Sequence, residues 1–323
     1  MKRSRARIAV AGVIVAVTAA TASCSLSSSP SAKEGSLAKD VDLKGASVTV
    51  GSKEFTEQLV MCNITALALK SAGASVTTKC GLSGSNTVRT ALTSGKIDMY
   101  WEYTGTAWIN FLKHTTPVKD PTEQYDKVAD EDLSKNQIKW LDPSSANNTY
   151  AIAVKTSTAD KLGVKSLSDY ARLADSDPAK ASMCIASEFA GRSDGWPGLQ
   201  KTYGFKEPKS HVATLAEGAI FDAVAKNKPC AFGQATTTDG RIKALKLSAL
   251  TDDKKFFPTY NPALTVRDSV YKKYPDIAKV ANPIANSLDT QTLQDLNAQV
   301  DVDGRDPEKV AQDWLQDKGF IGK

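Results

Sequence analysis

The pattern of apolar and polar residues changes its period several times along the chain. Residues 47–51 (SVTVG) read as a β-strand. From 56 to 70, Val60, Ile64, Leu67 and Ala68 fall on one helical face, and Gly73 stands just beyond as a stop. Residues 74–80 read as a second strand. A helix capped by Ser85 follows from 86 to Gly95 and feeds a strand over 97–101. Strand, helix, strand, helix, strand predicts a parallel sheet covered by helices. A second series starts near Tyr150, with short apolar strand candidates at 151–154, 181–186, 211–213 and 230–232 and helical patterns over 199–203 and 215–226. After Phe256 the pattern is mainly helical, over 270–285, 292–298 and 307–318, the last with Asp306 as cap and Pro307 at its first position. There is no internal repeat.

The N-terminal region is built differently. Lys2, Arg3, Arg5 and Arg7 precede an apolar run over 8–22, which is too short to span a bilayer comfortably and fits the apolar region of a secretory signal. Its end, Thr21-Ala22-Ser23-Cys24, resembles a bacterial lipobox, apart from Thr21, where an aliphatic residue is usual. That resemblance implies a signal peptide over 1–23. Cys24 is then the lipid-modified first residue of an exported protein on the outer face of the cytoplasmic membrane. Residues 25–39 are Ser-rich, contain Pro30 and show no apolar period, so 24–45 is expected to be a tether.

Charge carries less information than it first suggests. The chain has 41 Lys and Arg against 36 Asp and Glu. Removing the signal's four basic residues leaves 37 against 36. No basic run survives, which argues against a nucleic-acid partner. Cys62, Cys80, Cys184 and Cys230 are an even set in an oxidising compartment. Their spacing is not that of a zinc site, and His114 and His211 are the only histidines. No metal or cofactor is expected.

Six blocks, in order, are similar to those of binding proteins for glycine betaine, choline and related osmoprotectants in bacterial ABC importers. They are Gly51-Ser52-Lys53-Glu54-Phe55-Thr56-Glu57-Gln58; Tyr100-Trp101-Glu102-Tyr103-Thr104-Gly105-Thr106; Asn147-Asn148-Thr149-Tyr150-Ala151; Glu188-Phe189 with Arg192, Asp194, Gly195, Gly198 and Leu199; Thr237-Thr238-Asp239-Gly240-Arg241; and Phe256-Phe257-Pro258-Thr259-Tyr260. The closing Val300-Asp301-Val302-Asp303-Gly304, followed by Asp306-Pro307, fits as well. The resemblance runs from about 46 to 323. It implies an α/β fold of the type II periplasmic-binding-protein kind, two lobes joined by two crossing segments. Lobe I is expected over 46–148 and 257–323, and lobe II over 149–256.

The family resemblance also implies a site between the lobes. Tyr103, Tyr150 and Tyr260 fall where relatives place cage tyrosines. A trimethylammonium group offers no N–H to a hydrogen-bond acceptor, so a protein holds it by aromatic faces. Backbone carbonyls near Asn148 would face the same cation. Lys53, Arg192 and the Thr106 hydroxyl fall where relatives clamp a ligand carboxylate. Thr236 stands where many relatives have a fourth cage tyrosine. The cage is therefore expected to be open on the lobe II side, leaving room for a ligand larger or more polar than glycine betaine, such as choline, carnitine or ergothioneine. Trp108 and Trp196 are the candidates to replace that ring.

Other readings of the same residues are plainer. A lone tyrosine is usually core, and Lys53 or Arg192 can be a turn or salt-bridge residue. Trp101, Trp140 and Trp314 read as packing residues, and the loop from Gly81 to Ser85 lacks the spacing of a phosphate cradle. An enzyme would need a nucleophile with its base, but there is no GxSxG and neither histidine has a triad context. Glu54, Glu57 and Glu102 are carboxylates near the expected cleft that could in principle do acid–base work. A bilobal sensor would need a signalling segment after the last helix, and none is expected. The expected partners are a small trimethylammonium solute and an ABC permease, with the protein itself a monomer. Cys62 sits on the first helix and Cys80 ends the strand expected beneath it, while Cys184 and Cys230 fall in neighbouring lobe II strands. Disulfides 62–80 and 184–230, each within one lobe, would leave a hinge free.

Overall fold

Ten strands form two five-stranded sheets in the computed structural model, which describes residues 32–206 and 208–323. The segment expected as a signal peptide, Cys24 and the Ser-rich stretch to Ser31 lie outside the described residues. In chain order the strands are β1 (Ser47–Lys53), β2 (Ser75–Leu82), β3 (Met99–Tyr103), β4 (Ile138–Pro143), β5 (Tyr150–Lys155), β6 (Met183–Ile185), β7 (Val212–Thr214), β8 (Phe232–Thr236), β9 (Leu247–Ala249) and β10 (Pro262–Arg267). The first sheet has the order β2-β1-β3-β10-β4 and the second β7-β6-β8-β5-β9. The molecule is thus bilobal, with the chain crossing between lobes before β5 and again before β10.

The first three strands pair in parallel, as expected, but both sheets as a whole are mixed. β10 runs antiparallel to β3 and β4, and β5 runs antiparallel to β8 and β9. In each sheet the reversed strand is the one that has just arrived from the other lobe. A strand entering at the hinge must run away from it, whereas β1 and β3 run toward it. β10 also corrects the expectation of a helical stretch after Phe256. Its residues are buried on both faces, so the sequence shows a continuous apolar run and no period of two.

Helix Thr56–Ser71 is buried nearly all round and packs on β1, β2 and the C-terminal helix Pro307–Asp317. The single helix expected over 270–285 is two, Asp268–Lys273 and Ile277–Ser287. Pro275 forces Tyr274 out of the helical region, to φ −133° and ψ 68°. Residues 33–45, expected as tether, pack on the first lobe. Leu37 and Leu43 are buried in its core, and the Ser36 and Leu37 amides bond to the Gly319 and Phe320 carbonyls.

Each lobe carries one disulfide. Cys62 pairs with Cys80 at a Cα separation of 6.2 Å, and Cys184 with Cys230 at 5.6 Å. Among the described residues no helix is long and apolar enough to cross a membrane.

Candidate functional site

The strand ends that meet the hinge deliver the site. Lys53 ends β1, Tyr103 ends β3, Thr236 ends β8 and Tyr150 opens β5. Thr106 closes a helical turn directly after β3, and Asn148 and Tyr260 lie in the two crossings. These seven residues line one cavity of about 620 Å³. A crevice outside the strand ends is where open α/β sheets bind ligands. Gly105 allows the approach of the second crossing, since a Cβ there would lie 2.6 Å from the Thr259 carbonyl and 2.8 Å from the Tyr260 ring.

Aromatic rings form part of the wall. Tyr150 and Tyr260 meet edge to face, with centroids 5.4 Å apart. Phe55 and Tyr103 stack at 6.2 Å. Phe55, in the first motif, is a fourth ring that sequence reasoning missed. It comes from the first lobe, whereas Thr236, paired with Tyr150 across β5 and β8, leaves the second lobe's position without one. Neither Trp108 nor Trp196 supplies the ring. Trp108 stacks on His114, and Trp196 packs against Tyr170 and Phe205.

Hydrogen bonds fix two of the tyrosines. The Tyr103 hydroxyl donates to Glu57 Oε1 at 2.8 Å and accepts from Gln58 Nε2 at 3.1 Å, and Tyr260 donates to Asp194 Oδ2 at 2.7 Å. Burial, then the adjacent carboxylates, keep both phenols protonated well above their usual range. Burial does the same for Tyr150. The rings already attract cations from within the protein: Lys53 Nζ lies 5.0 Å from the Tyr103 centroid, and the Arg192 guanidinium lies 5.7 Å from that of Tyr150.

The cationic clamp differs from expectation. Arg192 is 6% exposed and does not line the cavity. Its Nε donates to Asp194 at 2.7 Å and its NH1 to Glu188 at 2.9 Å, so near neighbours in sequence occupy the fork. It acts on the site indirectly, holding Asp194 against Tyr260 and lying over Tyr150. Lys53 does reach the cavity but is paired with Glu102 at 2.7 Å, which also accepts from Tyr100. Asn148 Nδ2 bridges Glu57 Oε1 at 2.7 Å and Thr238 Oγ1 at 2.6 Å.

Acids outnumber bases in the lining. Glu54, Glu57, Glu188, Glu217, Asp239 and Asp301 face the cavity, against Lys53 and Arg241. Burial raises Glu57, although bonds from Thr238, Tyr103, Asn297 and Asn148 oppose it. Burial likewise works against charge on Glu188, but Lys53, Arg192 and the Ser85 bonds prevail and bring it down to about 2. Burial, then Glu188, Asp239 and Glu54, push Glu217 up to about 7. Glu188, Asp239 and Arg241 sat inside recognised motifs and could have been singled out. Glu217 and Asn297 belong to none of them, and no pattern along the chain marks either.

Bonds across the mouth join the lobes. Glu188 accepts from the Ser85 amide at 3.0 Å and from its hydroxyl at 2.7 Å. Asn297 Nδ2 donates to the Thr238 carbonyl at 2.9 Å, and Gln294 Nε2 to that of Thr237 at 2.7 Å. At the hinge the two crossings bond directly, from the Asn148 amide to the Tyr260 carbonyl at 3.0 Å. The site is a cleft between two lobes that touch, with aromatic and acidic walls.

Comparison with known proteins agrees with this architecture. Residues 46–317 match the model for the substrate binding domain of ABC-type glycine betaine transport systems. The chain is 38% identical over 277 residues to a glycine-betaine-binding protein of Pseudomonas aeruginosa, covering 84% of this chain and 88% of that one. The solved structure of apo YehZ from Escherichia coli superposes with a TM-score of 0.62 at 36% identity, covering 84% of this chain and 99% of that one. An ergothioneine transport permease/binding protein of Helicobacter pylori is 32% identical over 84% of this chain and 48% of its own length. The chain belongs to the substrate-binding domain family of ABC-type glycine betaine transport systems, whose members bind solutes and are not enzymes.

Proposed function

We propose that this protein captures a trimethylammonium solute in the cleft and delivers it, lobes closed, to the permease of an ABC importer. The observation that carries the reading is one cavity in which Phe55, Tyr103, Tyr150 and Tyr260 stand among six carboxylates. A quaternary ammonium has a diffuse charge and no N–H. Ring faces can each contribute about 0.5–2 kcal/mol to holding it when water is excluded, and surrounding carboxylates favour its charge without needing a hydrogen bond. In this reading Tyr103, Tyr150 and Tyr260 with Phe55 form the cage, and Lys53, Thr106, Asn148 and Thr236 complete the wall. Arg192 positions the rings from behind. Ligand binding favours the closed arrangement through contacts made to both lobes at once.

The remainder of the reading rests on the N-terminal sequence. Export by the segment 1–23, lipid attachment at Cys24 and residence on the outer face of the cytoplasmic membrane would keep a monomeric trap beside its permease. In the same reading lobe I comprises 46–148 and 257–323 and lobe II 149–256, a division that the two crossings support.

Calorimetric titration of the purified protein with glycine betaine, choline and carnitine tests the ligand class. Saturable one-to-one binding of at least one is expected. Absence of heat with all three, together with binding of a solute that has no quaternary ammonium, would contradict it.

A further inference from the structure

Every cation that lines the cleft already has a carboxylate of the protein as partner. Lys53 is held by Glu102 at 2.7 Å, and Arg241 donates through Nε to Asp239 at 2.9 Å and through NH2 to its other oxygen at 2.6 Å. Two buried atoms of the lining residues have no hydrogen bond, and both are acceptors. Asn297 is 3% exposed, and its Nδ2 donates to Glu57 Oε2 and the Thr238 carbonyl, two acceptors that fix the orientation of the amide. Its Oδ1 is buried without a partner. Asp301 Oδ1 accepts from Thr56, but its buried Oδ2 has no hydrogen bond and only Arg241 at 3.5 Å. Glu217, the first residue of helix Glu217–Lys226, faces the cavity with no hydrogen bond or ion pair among the described residues. An acceptor buried without a donor is costly, so Asn297 Oδ1 and Asp301 Oδ2 favour positive charge beside them, while the half-buried Glu217 carboxylate is free to accept from what binds there.

Resting on the reading of a caged quaternary ammonium, we propose that the cleft selects a cation that bears no carboxylate and carries a hydrogen-bond donor at its far end, with Glu217 as the specificity-determining residue that meets this end. A carboxylate-bearing zwitterion would bring a negative charge toward Glu54, Glu188, Glu217 and Asp239, with no free cation to receive it. A hydroxyl-bearing cation such as choline brings no negative charge toward them, and its hydroxyl can donate to Glu217. Glu217 rises to about 7 through burial and Glu188 on helix Ser187–Gly191, Asp239 after β8 and Glu54 after β1, with Arg241 opposing. Cation binding that wants it charged therefore strengthens as pH rises through that value.

The test is calorimetry on the full chain with choline, choline methyl ether and glycine betaine at about pH 6 and about pH 8, using the parent and Glu217→Gln. At the higher pH choline should bind about tenfold or more tighter than either of the others. Choline binding should also strengthen between the two pH values. In Glu217→Gln the choline advantage should shrink several-fold and the pH dependence should flatten. Glycine betaine or the methyl ether binding as tightly as choline would overturn the proposal, as would an unchanged ranking in the variant. If those results come with clear binding of all three, the cage reading survives and only the role of Glu217 fails. Binding of none of them, with carnitine also unbound and a solute without a quaternary ammonium bound instead, would bring down both. The ligand comparison on the parent decides the matter even if the variant folds poorly.

Discussion

Tyr103 and Tyr150 differ from leucine at the same position mainly in the electron-rich face they present. Replacing either with leucine keeps apolar bulk in the cleft wall and removes the attraction for a cation. Each substitution should weaken ligand binding about tenfold or more, on the order of 1.4 kcal/mol, as read by titration calorimetry. Tyr103→Phe should cost less, because the face remains and only the bonds to Glu57 and Gln58 are lost. At Thr236 the opposite change is informative. Thr236→Tyr adds a ring beside Tyr150 on the neighbouring strand and should shift preference toward a compact ligand, read as a changed ranking of glycine betaine against carnitine. Glu217 also links the site to stability. An acid raised in the folded state from 4.5 to about 7 contributes stability below its ordinary value and loses it as pH climbs through the raised one. The unliganded parent should therefore lose more thermal stability than Glu217→Gln between about pH 5 and about pH 8. Equal losses would remove Glu217 from the account.

Short elements carry the closing device. Helix Ser85–Thr93 of one lobe presents its first residue to Glu188 on helix Ser187–Gly191 of the other, and the shared bonds span the cleft mouth. Ser85→Ala removes the hydroxyl bond and keeps the amide bond. Since a hydrogen bond to a charged group contributes about 1.5–3 kcal/mol, ligand release should speed up roughly tenfold, which stopped-flow fluorescence would measure. How far such elements can be read from sequence depends on what they bury. Helix Thr56–Ser71 was legible from a long, mostly apolar run with Gly73 just beyond it as a stop. Helix Pro121–Asn136 was not, although Asp120 caps it and Pro121 opens it. Its buried positions are Gln124, Val128 and Asp132, mostly polar, with Asp132 paired to Arg89 and bonded by Trp140 at 2.8 Å. A hydrophobic period cannot register a face that is buried through hydrogen bonds. The three tyrosines that line the cleft were legible for a different reason, since each lies in a motif. Arg192 shows the limit of that signal. Its motif marks proximity to the ligand loop, but only the structure shows Asp194 and Glu188 occupying its guanidinium. Phe55 was overlooked because an aromatic residue after a strand looks the same in the core as in a cleft.

At the scale of the molecule, each lobe has its own sheet and its own disulfide, while the candidate site lies between the lobes. The disulfides close loops of 18 and 46 residues, each inside one lobe. Chain-entropy arguments give each about 3–4 kcal/mol. Replacing Cys184 and Cys230 together with alanine should lower the thermal midpoint by several degrees and leave ligand affinity at saturating fold nearly unchanged. A large loss of affinity in the folded variant would mean that the second lobe's bridge shapes the cleft. The packing of residues 33–45 on the first lobe, far along the chain from its C-terminal partners, also shortens any tether to the stretch before it. The account as a whole depends on where the ligand's positive charge sits. A crystal structure with the tightest-binding trimethylammonium solute would locate that atom. The account predicts an ammonium nitrogen within about 6 Å of the ring centroids of Tyr103, Tyr150 and Tyr260, in the cleft between the lobes. An ammonium group bound elsewhere, or held in the cleft away from those three rings, would contradict it.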